Sequence, residues 1–177
     1  MANGTLKVQN IETSSGSGTI TLGQSGESLA LGASNISGFG KVGQVVYNSS
    51  TTEVTTSSST FVTTNFSLSI TPTSTSSKIL ILLNPHLRLY NSSGADAHGE
   101  YKIDNGTSAL YTNQLRIYDY GNSGSLININ PNIVYYDSPA STSQQTYTLF
   151  IRLIAGTNIQ FCQSSLISTG TAMEVLP

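Results

Sequence analysis

Two histidines, one cysteine and nine carboxylates are the side chains of this 177-residue protein best suited to acid–base, nucleophilic or transition-metal chemistry. Their spacing argues against each. His86 and His98 have no Cys or second His at ligand spacing, so they would supply only part of a metal site. His86 alternates with Arg88 and Tyr90, which reads as the polar face of a strand with a solvated or interface role. His98 lies in the segment 91–99 beside Asp96 and Glu100, a trio that either holds a cation, senses pH or is simply solvated. Cys162, between Phe161 and Gln163 in an expected strand, has no internal disulfide partner and reads as an inert core or interface thiol. Carboxylate pairs for sugar hydrolysis are neighbours in space and not in sequence, and nothing in the distribution singles one out. No glycine cluster opens a helix, so no phosphate-cradling loop is expected. The chain is expected to hold no catalytic residue, metal or cofactor, and not to be an enzyme.

One loop has a binding composition. Tyr118, Asp119, Tyr120 and Asn122 combine flat rings with short polar side chains, which suits contact with a sugar or a protein surface. The bland alternative is a pair of tyrosines that end two strands. Tyr135-Tyr136-Asp137-Ser138-Pro139 reads first as a turn, with proline fixing the bend.

Positioning such a loop requires a framework, and the composition favours a folded one. Only 9% of the residues are charged while 37% are hydrophobic, the opposite of a chain kept open by net charge. The seven Lys and Arg are scattered, so no phosphate-binding surface is expected and nucleic acid is not a partner. The opening MANGTLKVQN lacks the apolar stretch of a secretory signal, and the longest apolar run, Ile79 to Leu83, is too short for a bilayer. Synthesis in a cytoplasm without membrane insertion is the expectation.

The apolar residues follow no helical period. β-Branched residues and tyrosines between Gly, Asn and Ser clusters spell about ten short strands, the pattern of an antiparallel β-sandwich or jelly roll. Phe66, Leu68 and Ile70 alternate with Asn65, Ser67 and Ser69, predicting a half-buried strand. Further strands are predicted at 44–48, 78–83, 87–90, 101–103, 110–111, 114–118, 133–136, 146–154, 158–162 and 172–176. The Asn105-Gly106 pair predicts a type I′ hairpin turn, and Pro85 and Pro131 are placed at bends or strand ends.

The first forty residues differ. Thr19-Ile20-Thr21-Leu22-Gly23 and Ser28-Leu29-Ala30-Leu31-Gly32 repeat one pattern nine residues apart, and strands this short need neighbours to cover Ile20, Leu22, Leu29 and Leu31. The other reading is a flexible Gly/Ser tether. Residues 1–40 are thus expected to be an attachment or stem segment, and residues 41–177 the sandwich.

Two strands break the alternation. Ile79, Leu80, Ile81, Leu82 and Leu83 are apolar on both faces, and Phe150 and Ile154 are apolar on the face opposite Tyr147, Leu149, Ile151 and Leu153. A second covering surface is required and no helix supplies it. Another copy of the chain is the expected cover, with a strand folded under a long loop as the alternative, so Ile79 to Leu83, Phe150 and Ile154 are assigned to a subunit interface.

Three sets of segments carry a resemblance. Gly4 to Ile11 followed by Ser14 to Leu22 resembles the opening of fibre-like virion proteins of marine phages. Gly40 to Val46, Thr60-Phe61-Val62 and Ile70 to Leu80 resemble the start of a phage fibre-tip domain, and Tyr136 to Thr142 with Met173-Glu174-Val175 is similar to the same family. The resemblance implies a homotrimeric jelly-roll tip, akin to the C1q and tumour necrosis factor fold, on a short β stem. It implies a short virion fibre or spike, joined to tail, adaptor or capsid proteins through the N-terminal segment, with a host surface glycan as the expected contact. The chain lacks a long shaft, which leaves a capsid decoration protein or a head fibre open, and a carbohydrate-binding or carbohydrate-degrading module as a more distant alternative.

Overall fold

The computed structural model describes residues 42–177 except residues 94 and 119–123. The expected attachment residues Ile20, Leu22, Leu29 and Leu31, and the loop residues Asp119, Tyr120 and Asn122, lie outside the described residues. Twelve strands are described: β1 Val42–Ser50, β2 Val54–Thr56, β3 Val62–Ile70, β4 Lys78–Asn84, β5 Leu87–Asn91, β6 Ala97–Asp104, β7 Ala109–Ile117, β8 Ser125–Ile129, β9 Ile133–Asp137, β10 Gln145–Ala155, β11 Asn158–Phe161 and β12 Ser168–Val175. Every pairing among them is antiparallel.

The strands form three four-stranded sheets, ordered β1-β12-β4-β9, β2-β11-β5-β8 and β3-β10-β6-β7. The first two are halves of one long sheet. β1 leads into β2, β4 into β5, β8 into β9 and β11 into β12, and the order of the four is the same in both halves. Each strand is interrupted at the same level, at residues 51–53, 85–86, 130–132 and 162–167. Pro85 and Pro131 stand at two of these breaks, as expected of residues that cannot donate to a ladder. Counted with the halves joined, eight strands lie in the order first, eighth, third, sixth in one sheet and second, seventh, fourth, fifth in the other. That is a jelly roll.

The core lies between the folded sheet and β3-β10-β6-β7. Phe66, Leu68 and Ile70 of β3 point inward as their alternation predicts, with Tyr147, Leu149 and Ile151 beside them on β10. From the folded sheet come Ile79, Ile81, Leu87, Leu89, Ile159, Phe161 and Ala172, and the Phe66 and Phe161 rings meet at 5.8 Å between centroids. Gly170 makes room for this packing: a Cβ there would stand 2.6 Å from Leu83 Cδ2 and 3.1 Å from Phe66 Cζ.

Three expectations need correction. The Asn105-Gly106 hairpin exists, but it is not a type I′ turn, since only Gly106 of the pair has positive φ and Asn105 instead caps the loop by accepting from the Thr107 and Ser108 amides. His86 is buried at the β4/β5 break and not on a solvated face. β2 and β8, absent from the predicted set, are short strands of three and five residues, the first mostly polar and the second an apolar Leu126-Ile127-Asn128-Ile129 run that went unread.

The topology gives the sandwich two unlike ends. The ends of β2, β5, β7 and β10 and the starts of β3, β6, β8 and β11 lie at one end. Loops 71–77, 105–108 and 138–144 lie at the other, together with the start of β1 and the end of β12, which pair Val42 with Val175.

Candidate interaction surface

The outer face of β1-β12-β4-β9 is built from residues that alternate away from the core. Cross-strand register sets Val45, Met173, Leu80 and Tyr136 side by side in one row and Tyr47, Thr171, Leu82 and Val134 in the next. Val45, Tyr47, Val134 and Tyr136 are each more than half exposed. Ten large hydrophobic residues are exposed among the described residues. Eight of them, Val42, Val45, Tyr47, Val134, Tyr136, Leu126, Leu166 and Ile167, belong to this folded sheet or to the crossing between its halves. Monomeric proteins seldom leave so contiguous an apolar face in water.

No family model and no curated protein matches the chain. Among solved structures it is similar to a chain of the infectious bursal disease virus Gx strain, with 13% identity and a TM-score of 0.37 over 84% of this chain and 36% of that one. It is also similar to the VP2 subviral particle of infectious bursal disease virus, with 14% identity and a TM-score of 0.33 over 84% and 37%. The T13 viral particle of that virus gives 10% identity and a TM-score of 0.37 over 84% and 35%. The chain thus spans about a third of the length of these proteins.

Alternation across β4 divides the expected interface residues. Ile79, Ile81 and Leu83 are 0%, 0% and 4% exposed within one subunit, so their assignment to the interface is corrected: they are core. Leu80 and Leu82 face outward in the apolar rows. Phe150 faces outward as well, partly covered by its own chain. The Lys102 ammonium lies 5.0 Å from the Phe150 ring and 5.0 Å from the Phe61 ring, and the Arg152 guanidinium lies 4.5 Å from Phe61. Glu100 fixes Arg152 through hydrogen bonds of 2.8 and 2.6 Å, and Asp104 holds Lys102 at 2.6 Å. Ile154 remains exposed at the end of β10. Sequence reasoning missed Val45, Tyr47, Val134, Tyr136 and Met173, although Val45-Val46-Tyr47 and Ile133 to Tyr136 are apolar on both faces as β4 is; that these short runs form one face with Met173 emerges only when the four strands are aligned.

Cys162 and His86 lie together at the break between the half-sheets, whereas His98 is on β6 of the other sheet. Cys162 Sγ is 3.0 Å from Ser168 Oγ, and Ser168 Oγ accepts a hydrogen bond of 2.8 Å from the backbone amide of His86. The imidazole takes no part, since His86 Nδ1 is buried without a hydrogen-bond partner. Burial pushes the thiol pKa up, and burial together with Arg88 pushes that of His86 down. His98 Nε2 stands 3.6 Å from Glu100, whose carboxylate is already engaged by Arg152. Among the described residues no group of three His, Cys, Asp or Glu is placed to hold a metal ion, and no helix is long and apolar enough to cross a membrane.

At the two ends the hydrogen bonding differs in purpose. Tyr118, 63% exposed, follows β7 into the loop-bearing end. Neighbouring loops there are tied to each other: the Ser92 amide and hydroxyl meet Thr157 Oγ1 at 2.8 and 3.0 Å, and the Thr157 amide donates to the Tyr90 carbonyl at 3.0 Å. At the opposite end Glu174 of β12, fully buried, accepts from the Thr73 amide at 2.6 Å, the Thr73 hydroxyl at 2.8 Å and Gln44 Nε2 at 3.5 Å. Gly43 belongs to the same joint, for a Cβ there would stand 2.7 Å from the Glu174 carboxylate. The start of β1, the 71–77 loop and the end of β12 therefore meet in one buried carboxylate site.

Proposed function

We propose that this chain is a structural protein of a virus particle, a short homotrimeric fibre or spike of a bacteriophage that works by assembly and contact and not as an enzyme. The observation that carries the reading is the one-sided apolar face on β1-β12-β4-β9. Covering several half-exposed Val, Leu and Tyr side chains contributes roughly 1.5–3 kcal/mol for each one fully buried, and a second copy is the surface every subunit has at hand. The jelly roll is an architecture used by viral capsid and lectin domains, and the resemblance of the sequence to phage tips favours three copies over two.

The two unlike ends suit this role. Residues 1–40 serve as the attachment segment, and β1, which follows them, starts at the end held by Glu174. The opposite end carries the loops, including Tyr118, and faces outward to meet a host surface. Sedimentation of the 177-residue protein tests the assembly: a species of three times 18.7 kDa is expected, and a stable monomer overturns the reading. Imaging of particles labelled on this chain tests the location, with density at the tail or its tip expected. Labels spread evenly over the head would replace the fibre by a decoration protein.

A further inference from the structure

We infer that the outer face of β2-β11-β5-β8 binds an acidic sugar whose carboxylate is held by Arg88; the inference names the chemistry of the host contact read above and rests on that reading for the source of the sugar. The pleat that turns Leu87, Leu89, Ile159 and Phe161 into the core turns the residues between them outward. Cross-strand register then sets Thr55, Gln160, Arg88 and Asn128 side by side in one row, and Asn158, Tyr90 and Leu126 in the next. The first row runs about 14 Å, at about 4.8 Å per strand, and carries hydrogen-bonding groups throughout. This half of the long sheet adjoins the loop-bearing end, so in the spike it stands on the host side.

An unpaired cation carries the assignment. On the other sheet Lys102 and Arg152 each hold a carboxylate at 2.6 Å, whereas Arg88 forms no ion pair among the described residues. Its Nε is buried without a hydrogen-bond partner, and its guanidinium is steadied by the Tyr90 ring, 5.4 Å away at the centroid. In the adjoining row Asn158 Oδ1 is also buried without a partner. Glu53, just before β2, is committed elsewhere. It accepts from the Thr55 hydroxyl at 3.1 Å, from Gln160 Nε2 at 3.0 Å and from the Ser164 amide at 3.2 Å. Those bonds occupy the Gln160 amide nitrogen and leave its side-chain oxygen, next to Arg88, as the group it offers.

The charge and its neighbours select the occupant. A guanidinium fork matches a planar carboxylate through two parallel hydrogen bonds. One cation, with no second Lys or Arg in either row, balances a single negative charge and leaves a doubly charged phosphate half neutralised. Gln160 and Asn128 flank Arg88 and suit the hydroxyls that a sugar ring carries beside its carboxylate, while Leu126, 53% exposed next to Tyr90, offers an apolar contact for the ring's C–H groups. An extended acidic peptide is recognised at a free sheet edge, and Arg88 lies on an inner strand. A second copy is a poorer occupant too, because covering Arg88 with the apolar rows of β1-β12-β4-β9 strips its water and returns no counter-charge.

Binding of the full-length protein to arrayed oligosaccharides of uronic and sialic acids, each beside a neutral counterpart, tests this. An acidic sugar should bind more tightly than its neutral counterpart, with a preference that falls as salt rises. Arg88→Gln should weaken that binding roughly ten- to a hundredfold. Asn128→Asp, an exposed change that gives Arg88 a carboxylate from its own chain, should weaken it as well and keeps the test decisive if Arg88→Gln does not fold. Both variants should sediment as wild type does. No preference for the acidic sugars, or a preference that survives Asn128→Asp, overturns the inference. A changed sedimenting species in Asn128→Asp also overturns it, by assigning the face to a contact between subunits. None of these results touches the homotrimer or its place on the particle. Labels spread evenly over the head would remove the host contact while an Arg88-dependent preference for acidic sugars still stood, which keeps the two failures apart.

Discussion

The two outer faces of the sandwich begin from the same problem and resolve it differently. On β3-β10-β6-β7, Phe150 points away from the core, yet its neighbours across the strands include Lys102 and, two residues along, Arg152 opposite Glu100. The methylene stems and cationic heads of those long side chains close over Phe150 and Phe61, and the carboxylates of Glu100 and Asp104 hold them in place. On β1-β12-β4-β9 the outward neighbours of Leu80 and Leu82 are Met173, Thr171, Tyr136 and Val134, none of which carries a charge or reaches over another. One face is closed by its own chain and the other is left open. The lesson is that an outward apolar residue says little alone; the side chains directly across the ladder decide whether a partner is needed.

The sharpest way to break the comparison is to put one carboxylate on either side of β4. Ile81→Asp places a charge in the core, where an unpaired carboxylate costs more than about 5 kcal/mol, comparable to the whole stability of a domain. Soluble folded protein is not expected. Leu80→Asp, one residue earlier, faces outward and should leave the sandwich folded while the assembly falls apart. Circular dichroism and sedimentation read the two effects separately. If both variants unfold, the open face is part of the subunit core; if Leu80→Asp still assembles, the interface lies elsewhere.

The closed face predicts the converse. Phe150→Ala removes a ring held between Lys102 and the sheet, and a half-buried aromatic of this kind contributes about 2–3 kcal/mol, below the 3–5 kcal/mol of a full core Phe. Urea denaturation should show that loss with the sedimenting species unchanged. Should Phe150→Ala dissociate the assembly at unaltered subunit stability, the face closed by Lys102 and Arg152 would have to be an interface after all.

A smaller effect tests the joint at the start of β1, the edge strand of the open face. Burial pushes the Glu174 pKa up, but hydrogen bonds from the Thr73 amide and hydroxyl and from Gln44 outweigh it, so the carboxyl titrates below its ordinary value. A group depressed in the folded state stabilises fully above its unfolded pKa, near 4.5, and that contribution is lost as pH falls through the lower folded value. Wild-type protein should lose thermal stability steeply on acidification below about pH 4.5. Glu174→Gln should be less stable by about 1–2 kcal/mol at neutral pH and show a shallower acid limb. An acid limb identical in the two proteins would mean that other carboxylates control it.

Much of this was legible in the chain. The clean alternation of Phe66, Leu68 and Ile70 placed β3, the double-sided run at Ile79 to Leu83 marked the strand with two occupied faces, and Pro85 and Pro131 marked breaks in the long sheet. What was not legible depends on alignment between distant strands. Nothing near Val45 or Tyr47 announces that they stand beside Met173 and Thr171, 128 and 124 residues later in the sequence. Nor does Phe150 announce that Lys102 and Phe61 cover it. The exposure of Leu166 and Ile167 was hidden for another reason: they follow a turn with positive φ at Cys162, Ser164 and Ser165, residue types for which no sequence rule expects that backbone.

The smallest expected change in stability belongs to the end of the molecule farthest from the joint. Tyr118 follows β7, the edge strand of the closed sheet, and is 63% exposed, so its ring contributes little to the core. Tyr118→Ala should shift stability by no more than about 0.5 kcal/mol, the range of surface substitutions that break no cap, cavity or buried bond. If the loop-bearing end is the part that meets a host, adsorption of particles carrying Tyr118→Ala should fall severalfold while their assembly and melting temperature stay as in wild type. A half-exposed tyrosine is suited to that work, since it offers a rigid apolar plane and a hydroxyl at low entropic cost. Unaltered adsorption with a marked loss of stability would place Tyr118 among the residues that support β7. It would also move the contact surface onto residues 57–61, which share the same end.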